Sequence, residues 1–294
     1  MKNTHLCNLL FVFCATLSAC KTNLSSDIGK KAYDWTGEIV AFGPRTSGSP
    51  EIQKIRDLIE KKITAMGLTM QKRPFVSRTP KGFVNMINLS FIVPGTKHDE
   101  HFVLLAHYDS KIFTDRKFVG ANDAASSVAL LLALAQPIQK LELPFDVQIV
   151  FVDGEEAFVE WKFADSLYGS RQMAQDIHGT KVKGLIVADM IGDKNLSLIK
   201  SRGSDAKLLS YLEESLKEMN QSSKLETNWS YVMDDHTPFV EMGIPTLHLM
   251  DFTYGGAAQP GPLWHTEKDN MENISADSLS IVGEAILRIL KKIQ

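Results

Sequence analysis

The sequence predicts an α/β fold in one globular domain, with a central, mostly parallel mixed sheet that is flanked by helices. Short apolar runs that are typical of buried strands alternate along the chain with longer segments of helical character. Strands that alternate with helices are typical of layered α/β domains, in which the crossover helices cover the sheet. No internal repeat, low-complexity tract or interior linker divides the chain of 294 residues.

The strands and helices follow one another from residue 52 to the C-terminus. Residues 43–50 are rich in Gly, Pro and Ser and are expected to form a loop. Apolar runs bounded by turn residues predict strands at residues 83–93, 102–106, 147–152, 185–191 and 246–250. Helical spacing of apolar residues, or an abundance of Ala and Leu, predicts helices at residues 52–65, 124–135, 166–176, 205–219 and 277–292.

The first twenty residues have the pattern of an export signal. Lys2 precedes an apolar stretch at residues 6–15, which is too short to span a membrane as a helix. The sequence Leu-Ser-Ala-Cys at residues 17–20 resembles a bacterial lipobox, in which Cys20 becomes the lipidated first residue. A plain signal peptide with a coincidental cysteine is the alternative.

This pattern predicts a signal peptide of the lipoprotein type at residues 1–19, a polar tether at residues 20–34 and the folded domain at residues 35–294. We expect an exported bacterial protein that faces the periplasm or the cell exterior. Its contact with a membrane would be a lipid anchor at Cys20.

Composition and cysteine usage narrow the chemistry. The chain is 44% hydrophobic and 23% charged with a formal net charge of -3, so it has no basic excess that would favour nucleic acid as a partner. All three cysteines lie in the predicted signal region, at residues 7, 14 and 20. A metal bound by the folded domain must therefore be held by His, Asp or Glu.

Two adjacent acids, Glu155 and Glu156, directly follow the predicted strand at residues 147–152. Their mutual repulsion must be relieved by a cation, by a proton or by solvent. A metal ion on one carboxylate and a proton-transfer role for the other would relieve it. A solvated turn at the end of the strand is the alternative.

Other polar residues also follow predicted strands, where ligands bind in open α/β sheets. These are His107 with Asp109, and Asp189 and His248 late in their apolar runs. Imidazole and carboxylate ligands together suit zinc. The candidate metal ligands are His107, Asp123, Glu156, Asp189 and His265. Each has a structural alternative, such as a helix N-cap for Asp123.

The order of these residues resembles that of the M28 metallopeptidase superfamily: His-x-Asp, Gly-Ala-Asn-Asp, Glu-Glu, a strand Asp and a late His. Longer strings are similar to glutaminyl-peptide cyclotransferases (glutaminyl cyclases) of the animal type, and the resemblance runs from about residue 45 to the C-terminus. They are residues 107–111, 153–158 with Trp161, 165–171, 234–239 and 264–266.

The resemblance implies a zinc aminopeptidase-like fold and a reaction that closes a ring. An N-terminal glutamine of a peptide or protein would become pyroglutamate with release of ammonia. Asp123, Glu156 and His265 would hold one zinc ion, and Glu155 would transfer the proton. The resemblance also implies that Asp189 and Asp234 share a proton or hydrogen bond and orient the substrate amine, with His248 as support. Trp161 and Trp264 would line the pocket.

The sequence departs from the cyclase pattern at two points: the first keeps an alternative open, and the second, a missing cysteine pair, puts in doubt only a stabilising link. Asn122 precedes Asp123, as in the aminopeptidases of the superfamily, where animal cyclases commonly have Thr. All five ligand types of a two-zinc aminopeptidase are present, so a second metal at His107 and Asp189 stays open. Ala106 precedes His107, and the cysteine pair of secreted animal members is missing from the sequence. A binding module without activity is a further alternative.

Overall fold

A computed structural model describes residues 19–293, with side chains from residue 27 onward. Of the predicted signal peptide at residues 1–19, residues 1–18 lie outside the described residues. The helices are α1 (Ala19–Val40), α2 (Glu51–Ala65), α3 (Ser127–Gln139), α4 (Tyr168–Asp176), α5 (Ala206–Glu218), α6 (Thr237–Glu241) and α7 (Ala276–Lys292). The strands are β1 (Gln71–Thr79), β2 (Gly82–Val93), β3 (His101–His107), β4 (Asp146–Val152), β5 (Val182–Asp189), β6 (Leu198–Ser201), β7 (Leu225–Ser230) and β8 (Thr246–Met250).

Six strands form one mixed sheet in the order β1-β2-β4-β3-β5-β8, and β6 pairs with β7 in a small second sheet. The strands β4, β3, β5 and β8 are mutually parallel, whereas β1 and β2 form an antiparallel hairpin at one side. Three of the five pairings in the main sheet are therefore parallel, and the predicted mostly parallel mixed sheet is confirmed.

Helices cover both faces of the sheet, which explains why its central strands are mostly apolar. In β3, Leu104 belongs to the apolar cluster that includes α1, α3 and α7, whereas the neighbouring Leu105 belongs to the cluster with α4 and α6. Successive side chains of a strand point to opposite faces, so a strand covered on both sides needs an apolar residue at every position. Burial of each such side chain contributes about 1.5–3 kcal/mol.

All five predicted strands and all five predicted helices are present, with shifted ends. The largest shift concerns the helix predicted over residues 124–135, which begins at Ser127 and runs to Gln139. The residues before it, Ala121–Ser126, form an irregular turn with non-helical dihedral angles at Asp123. Asp123 therefore lies in a turn and does not begin the helix.

The residues predicted as a tether, 20–34, belong to helix α1 in the structure. Residues in the C-terminal part of α1 pack against α3 and α7, and Ile28 and Ala32 are fully buried. Buried positions recur every three or four residues, at Ile28, Ala32, Thr36 and Ile39, which is the spacing of one narrow face of a helix. Polar residues surround this stripe, which is why composition alone indicated a tether.

No helix within residues 19–293 combines the length and the apolar character needed to cross a membrane.

Candidate active site

The carboxyl ends of the parallel strands bring the predicted polar residues together at one edge of the sheet. His107 ends β3 and is in register with Val152, the last residue of β4, so Glu155 and Glu156 follow beside it. Asp189 ends the neighbouring strand β5. All four side chains are buried. The structure thus places His107 within 3.9 Å of Glu155 and 3.4 Å of Asp189 at this edge.

Asp123 and His265 reach this edge from irregular segments. His265 has a φ of 55°, in the left-handed region, and its ring stacks on that of Trp264 at 3.8 Å. Its Nε2 lies 3.2 Å from Asp123 Oδ2 and 3.1 Å from Glu156 Oε1. The three ligand atoms lie within 4.8 Å of one another.

These three side chains fit a divalent metal ion. One imidazole nitrogen and two carboxylate oxygens converge on one position, which is the donor set of many zinc sites. The other oxygen of Glu156, Oε2, is buried, makes no hydrogen bond among the described residues and has Lys111 Nζ as an ion-pair partner at 3.5 Å.

A second group shares Asp123 with the first. His107 Nε2 lies 3.1 Å from the other oxygen of Asp123, Oδ1, and 3.4 Å from Asp189 Oδ1. These contacts are close, but they do not have the geometry of hydrogen bonds. Both ring nitrogens of His107 and Asp189 Oδ1 are buried and have no hydrogen-bond partner in the described part of the chain. Asp123 therefore lies between two groups that could each hold an ion.

A third group, Asp234, His236 and His248, is a hydrogen-bonded support. Asp234 Oδ2 lies 2.6 Å from His248 Nε2, and the other ring nitrogen of His248 lies 3.1 Å from Ser201 Oγ. The ring of His236 stacks on that of His248 at 4.1 Å with an interplanar angle of 17°. Both ring nitrogens of His248 already have partners, and the stacked ring of His236 lies parallel to that of His248. The two imidazoles therefore cannot both point a free nitrogen at one metal ion.

The electrostatics of the first group suit a cation. Burial favours the neutral form of His265, but the neighbouring carboxylates of Glu156 and Asp123 outweigh it and raise its pKa to about 10. Burial alone would raise the pKa of Asp123. The neighbouring His107 and His265 outweigh this effect and hold the pKa of Asp123 below its ordinary value. The negative charge of the two carboxylates therefore favours a cation at this position.

Glu155 stands apart from the metal-ligand groups. Its closest ion-pair contact is between Oε2 and His107 Nδ1 at 3.9 Å, and it belongs to none of the three groups. Burial raises its pKa well above the ordinary range, and the nearby acids Glu156, Asp235 and Asp234 add to this effect. Burial likewise raises the pKa of Asp189 to about 7, with a contribution from Asp234. Such groups are suited to proton transfer near neutral pH.

A set of buried side chains holds the ligand-bearing loops in place. Asp109 accepts hydrogen bonds from the backbone N–H groups of Glu155 and Glu156, at 3.1 and 3.2 Å. Asp269 accepts hydrogen bonds from the backbone N–H groups of Asn122 and Asp123, at 2.7 and 3.2 Å. These two acids fix the backbone on which the metal ligands sit.

Sequence reasoning missed Asp269, and it also missed Arg45. The Arg45 guanidinium is fully buried and donates hydrogen bonds to the backbone carbonyls of Tyr108 and Gly120, at 3.1 and 2.9 Å. It therefore ties the segment after β3 to the turn that carries Asp123. No local pattern signals either role, since the partners are distant in the chain.

The acids open into a pocket of about 90 Å³. Glu155, Glu156, Asp123, Asp189, Asp234 and His265 line it together with six apolar or aromatic side chains, Trp161, Val232, Met233, Met250, Phe252 and Trp264. Both predicted tryptophans thus line the pocket, and Trp161 is 37% exposed at its opening. The other four apolar residues were not singled out from the sequence.

Comparison with known proteins places the chain in a family. A family model described as Peptidase family M28 matches residues 88–290, which is more than half of the chain. The chain belongs to peptidase family M28. The resemblance inferred from the order of the site residues is confirmed.

The relatives of this M28 member include enzymes with a specific name. A glutaminyl-peptide cyclotransferase from Boiga irregularis is 30% identical over 291 residues, which cover 82% of this chain and 75% of that protein. The solved structure of a glutaminyl cyclase from an Acidobacteriales bacterium is 35% identical with a TM-score of 0.85, and covers 90% of this chain and 94% of that chain.

A leucine aminopeptidase precursor from Bacteroides thetaiotaomicron has a TM-score of 0.81, with 90% of this chain and 97% of that chain covered. Its identity is only 22%, so it shows a shared fold. The comparisons therefore favour a glutaminyl cyclase, an acyltransferase, over an aminopeptidase.

Proposed function

We propose that this M28 member is a zinc-dependent glutaminyl-peptide cyclotransferase. It would convert the N-terminal glutamine of peptides and proteins to pyroglutamate and release ammonia. The observation that carries the proposal is a buried Glu155 that lies outside a complete set of metal ligands, in a chain similar to named cyclases.

Asp123, Glu156 and His265 would hold one zinc ion. A zinc ion bound there would act as a Lewis acid that polarises the γ-amide carbonyl of the substrate and favours negative charge on its oxygen. Asp109 and Asp269 contribute by fixing the backbone of the ligands, which keeps the ligand atoms in position before the ion binds.

Glu155 would act first as general base and then as general acid. Its carboxylate takes a proton from the α-amine as the α-nitrogen bonds to the γ-amide carbon. It then gives that proton to the amide nitrogen, whose bond to the carbon breaks as ammonia leaves. The raised pKa of Glu155 suits both steps, because the group must accept and return a proton near neutral pH.

Asp189 and Asp234 would orient the substrate amine, and the contact between Asp234 and His248 supports this arrangement. The walls formed by Trp161 and Trp264 would pack against the glutamine side chain and exclude water. Because both reacting groups belong to one substrate residue, their proximity is already provided. The proposal therefore requires no Ser or Cys nucleophile.

A two-ion aminopeptidase is the second candidate, and the group of His107, Asp123 and Asp189 is the observation that favours it. Mass spectrometry of a glutamine-initiated peptide after incubation separates the two. A cyclase yields a product that has lost ammonia, whereas an aminopeptidase yields one that has lost a residue. Product formation should stop when a chelator removes the metal and return when zinc is added back.

We also propose export and lipid anchoring at Cys20, supported by the sequence pattern of residues 17–20. Labelling of growing cells with a palmitate analogue tests it, with Cys20→Ala as the control variant. Label on the wild-type chain alone is the expected result, and equal labelling of both chains would refute the anchor.

A further inference from the structure

The β1–β2 hairpin extends past the edge of the sheet where the active site lies. The pairing of β2 with β4 ends at Leu89, which is opposite Phe151, one residue before the end of β4. The preceding residues of β2, 82–88, pair only with β1. At about 3.3 Å per residue they form a two-stranded ribbon that continues for about 20 Å beyond the sheet edge.

The two faces of this ribbon differ. On the inner face, Phe75, Val84 and Met86 pack with Phe158 and Tyr168, which flank the loop that carries Trp161. The ribbon therefore stands beside one wall of the pocket. The outer face of the ribbon, defined by Pro74, Val76, Arg78, Phe83 and Asn85, is exposed at these five positions, and only Ile87, next to the sheet, is partly buried on the same face.

The outer face presents apolar side chains to solvent. Phe83 is 78% exposed and lies directly opposite Arg78 in the register, and Val76, at the adjacent position on the same face, is 62% exposed. Proline and basic residues on an outermost strand guard against unwanted strand pairing. That role does not require an exposed Phe and Val beside the cations, so these two residues indicate a contact surface.

The charge of the ribbon is opposite to that of the chain. Residues 71–83 contain four basic residues and no Asp or Glu, although the whole chain has a net charge of -3. Lys72 is paired with Glu60 at 2.7 Å, and Arg73 lies 3.9 Å from Asp176. Arg78 and Lys81 have no ion pair among the described residues. An acidic partner with apolar side chains complements this surface.

The position of the ribbon favours a polypeptide over a membrane. In α1, Lys31 Nζ donates to Gln136 Oε1 near the end of α3, and α3 leads away from the active-site edge. Residue 20 lies in the first turn of α1, whereas Arg45, which follows α1, donates to the Gly120 carbonyl beside Asp123, so α1 leads from residue 20 towards the active-site edge. A membrane at that anchor would face the opposite end of the domain.

We propose that the outer face of the ribbon binds an acidic, apolar-rich stretch of the polypeptide whose first residue occupies the pocket. The proposal rests on the proposed cyclase function and adds a substrate class to it. The pocket is lined by carboxylates, so acidic residues of a substrate are repelled there and attracted at the ribbon. About six to eight extended residues span the length of the ribbon.

Two glutamine-initiated peptides of about fourteen residues test the proposal, because this length holds four residues at the pocket and the six to eight that would span the ribbon. They share their first four residues and differ in whether the following stretch combines Phe and Leu with Glu or with Lys. The variant Arg78→Glu/Lys81→Glu inverts the ribbon charge. Lys207→Glu/Lys217→Glu on α5 changes the net charge equally and serves as the matched control. Phe83→Ser tests the apolar contact.

We expect wild type and the α5 variant to prefer the acidic peptide by about fivefold or more in kcat/KM at low salt, with the preference falling at high salt. The ribbon charge variant should lose or invert the preference, and Phe83→Ser should lower kcat/KM for the acidic peptide. A glutaminyl dipeptide is too short to reach the ribbon, so its kcat/KM should be the same in all four proteins. An unchanged preference in the ribbon variants would overturn the proposal.

The dipeptide separates this proposal from the proposed function, because failure of wild type to release ammonia from it refutes the cyclase alone. Fluorescence anisotropy with the labelled acidic peptide then tests the ribbon directly: binding that Arg78→Glu/Lys81→Glu abolishes supports it, and binding that is unaffected refutes it. Vesicles with and without phosphatidylglycerol are the last comparison. Ribbon-dependent binding to the anionic vesicles without peptide preference would assign the surface to a membrane and overturn the proposal.

Discussion

Replacement of Asp109 by Asn should damage both stability and activity, although Asp109 is outside the proposed ligand set. Its two carboxylate oxygens accept one hydrogen bond each from the backbone N–H groups of Glu155 and Glu156. Asn has the same shape but replaces one oxygen by an NH2 group. One of the two backbone N–H groups would then face another donor in a site that excludes water.

The magnitude follows from the burial of these groups. A hydrogen bond to a charged acceptor contributes about 1.5–3 kcal/mol, and a buried donor left without a partner costs about 1–3 kcal/mol. Allowing for partial relaxation, Asp109→Asn should lower the free energy of unfolding by about 2–4 kcal/mol. A shift of Glu155 by a fraction of an ångström should lower kcat/KM by about ten- to a hundredfold.

Urea unfolding followed by tryptophan fluorescence, and ammonia release from a glutaminyl dipeptide, measure the two effects. Asp115→Asn is the matched control, because Asp115 is exposed and paired with Arg116 at the surface. That control should change the free energy of unfolding by less than about 0.5 kcal/mol. If Asp109→Asn behaves like Asp115→Asn in both assays, the backbone of the glutamate pair is held by other contacts.

Three further predictions use the charges in the structure. Zinc must displace the proton on His265, whose pKa is raised to about 10, so zinc affinity should rise about tenfold per pH unit between about pH 6 and 9, as measured against a competing chelator. Burial raises the pKa of Asp251 to about 6. A buried acid with a raised pKa favours folding when it is protonated. The free energy of unfolding, measured in urea at a series of pH values, should therefore fall by about 3 kcal/mol as the pH rises from about 4 through 6. The Asp251→Asn variant should show a smaller fall over this pH range. Asp153→Ala removes the carboxylate that lies 2.6 Å from the guanidinium of the buried Arg56, and should lower the free energy of unfolding by about 3–5 kcal/mol. Glu218→Ala, which breaks an exposed ion pair with Arg288, should lower it by less than about 1 kcal/mol in the same assay.

The central strands could be predicted from the sequence because burial on both faces leaves a continuous apolar run. The same property located His107, Glu155, Glu156 and Asp189, since a polar residue at the end of such a run lies at the sheet edge. Asp123 and His265 lie in irregular segments, so residue type made them candidate ligands, and only the resemblance to a known family grouped them with Glu156 around one ion.

The remaining features depend on contacts between distant parts of the chain. Asp269 supports a backbone N–H 147 positions away, and a local pattern carries no information about such a partner. The strand β1 was missed because most of its residues are exposed and because Pro74 is unusual in a strand. The helix α1 was taken for a tether because its buried stripe is sparse.

The most direct test of the central claim compares the two adjacent glutamates. Glu155→Gln should keep one zinc ion per chain, as measured by elemental analysis, and should lower kcat for ammonia release by about a hundred- to ten-thousandfold. Glu156→Gln should lose the zinc. A Glu155→Gln protein that turns over normally, or that loses its zinc while Glu156→Gln retains it, would contradict the separation of proton transfer from metal binding on which the account depends.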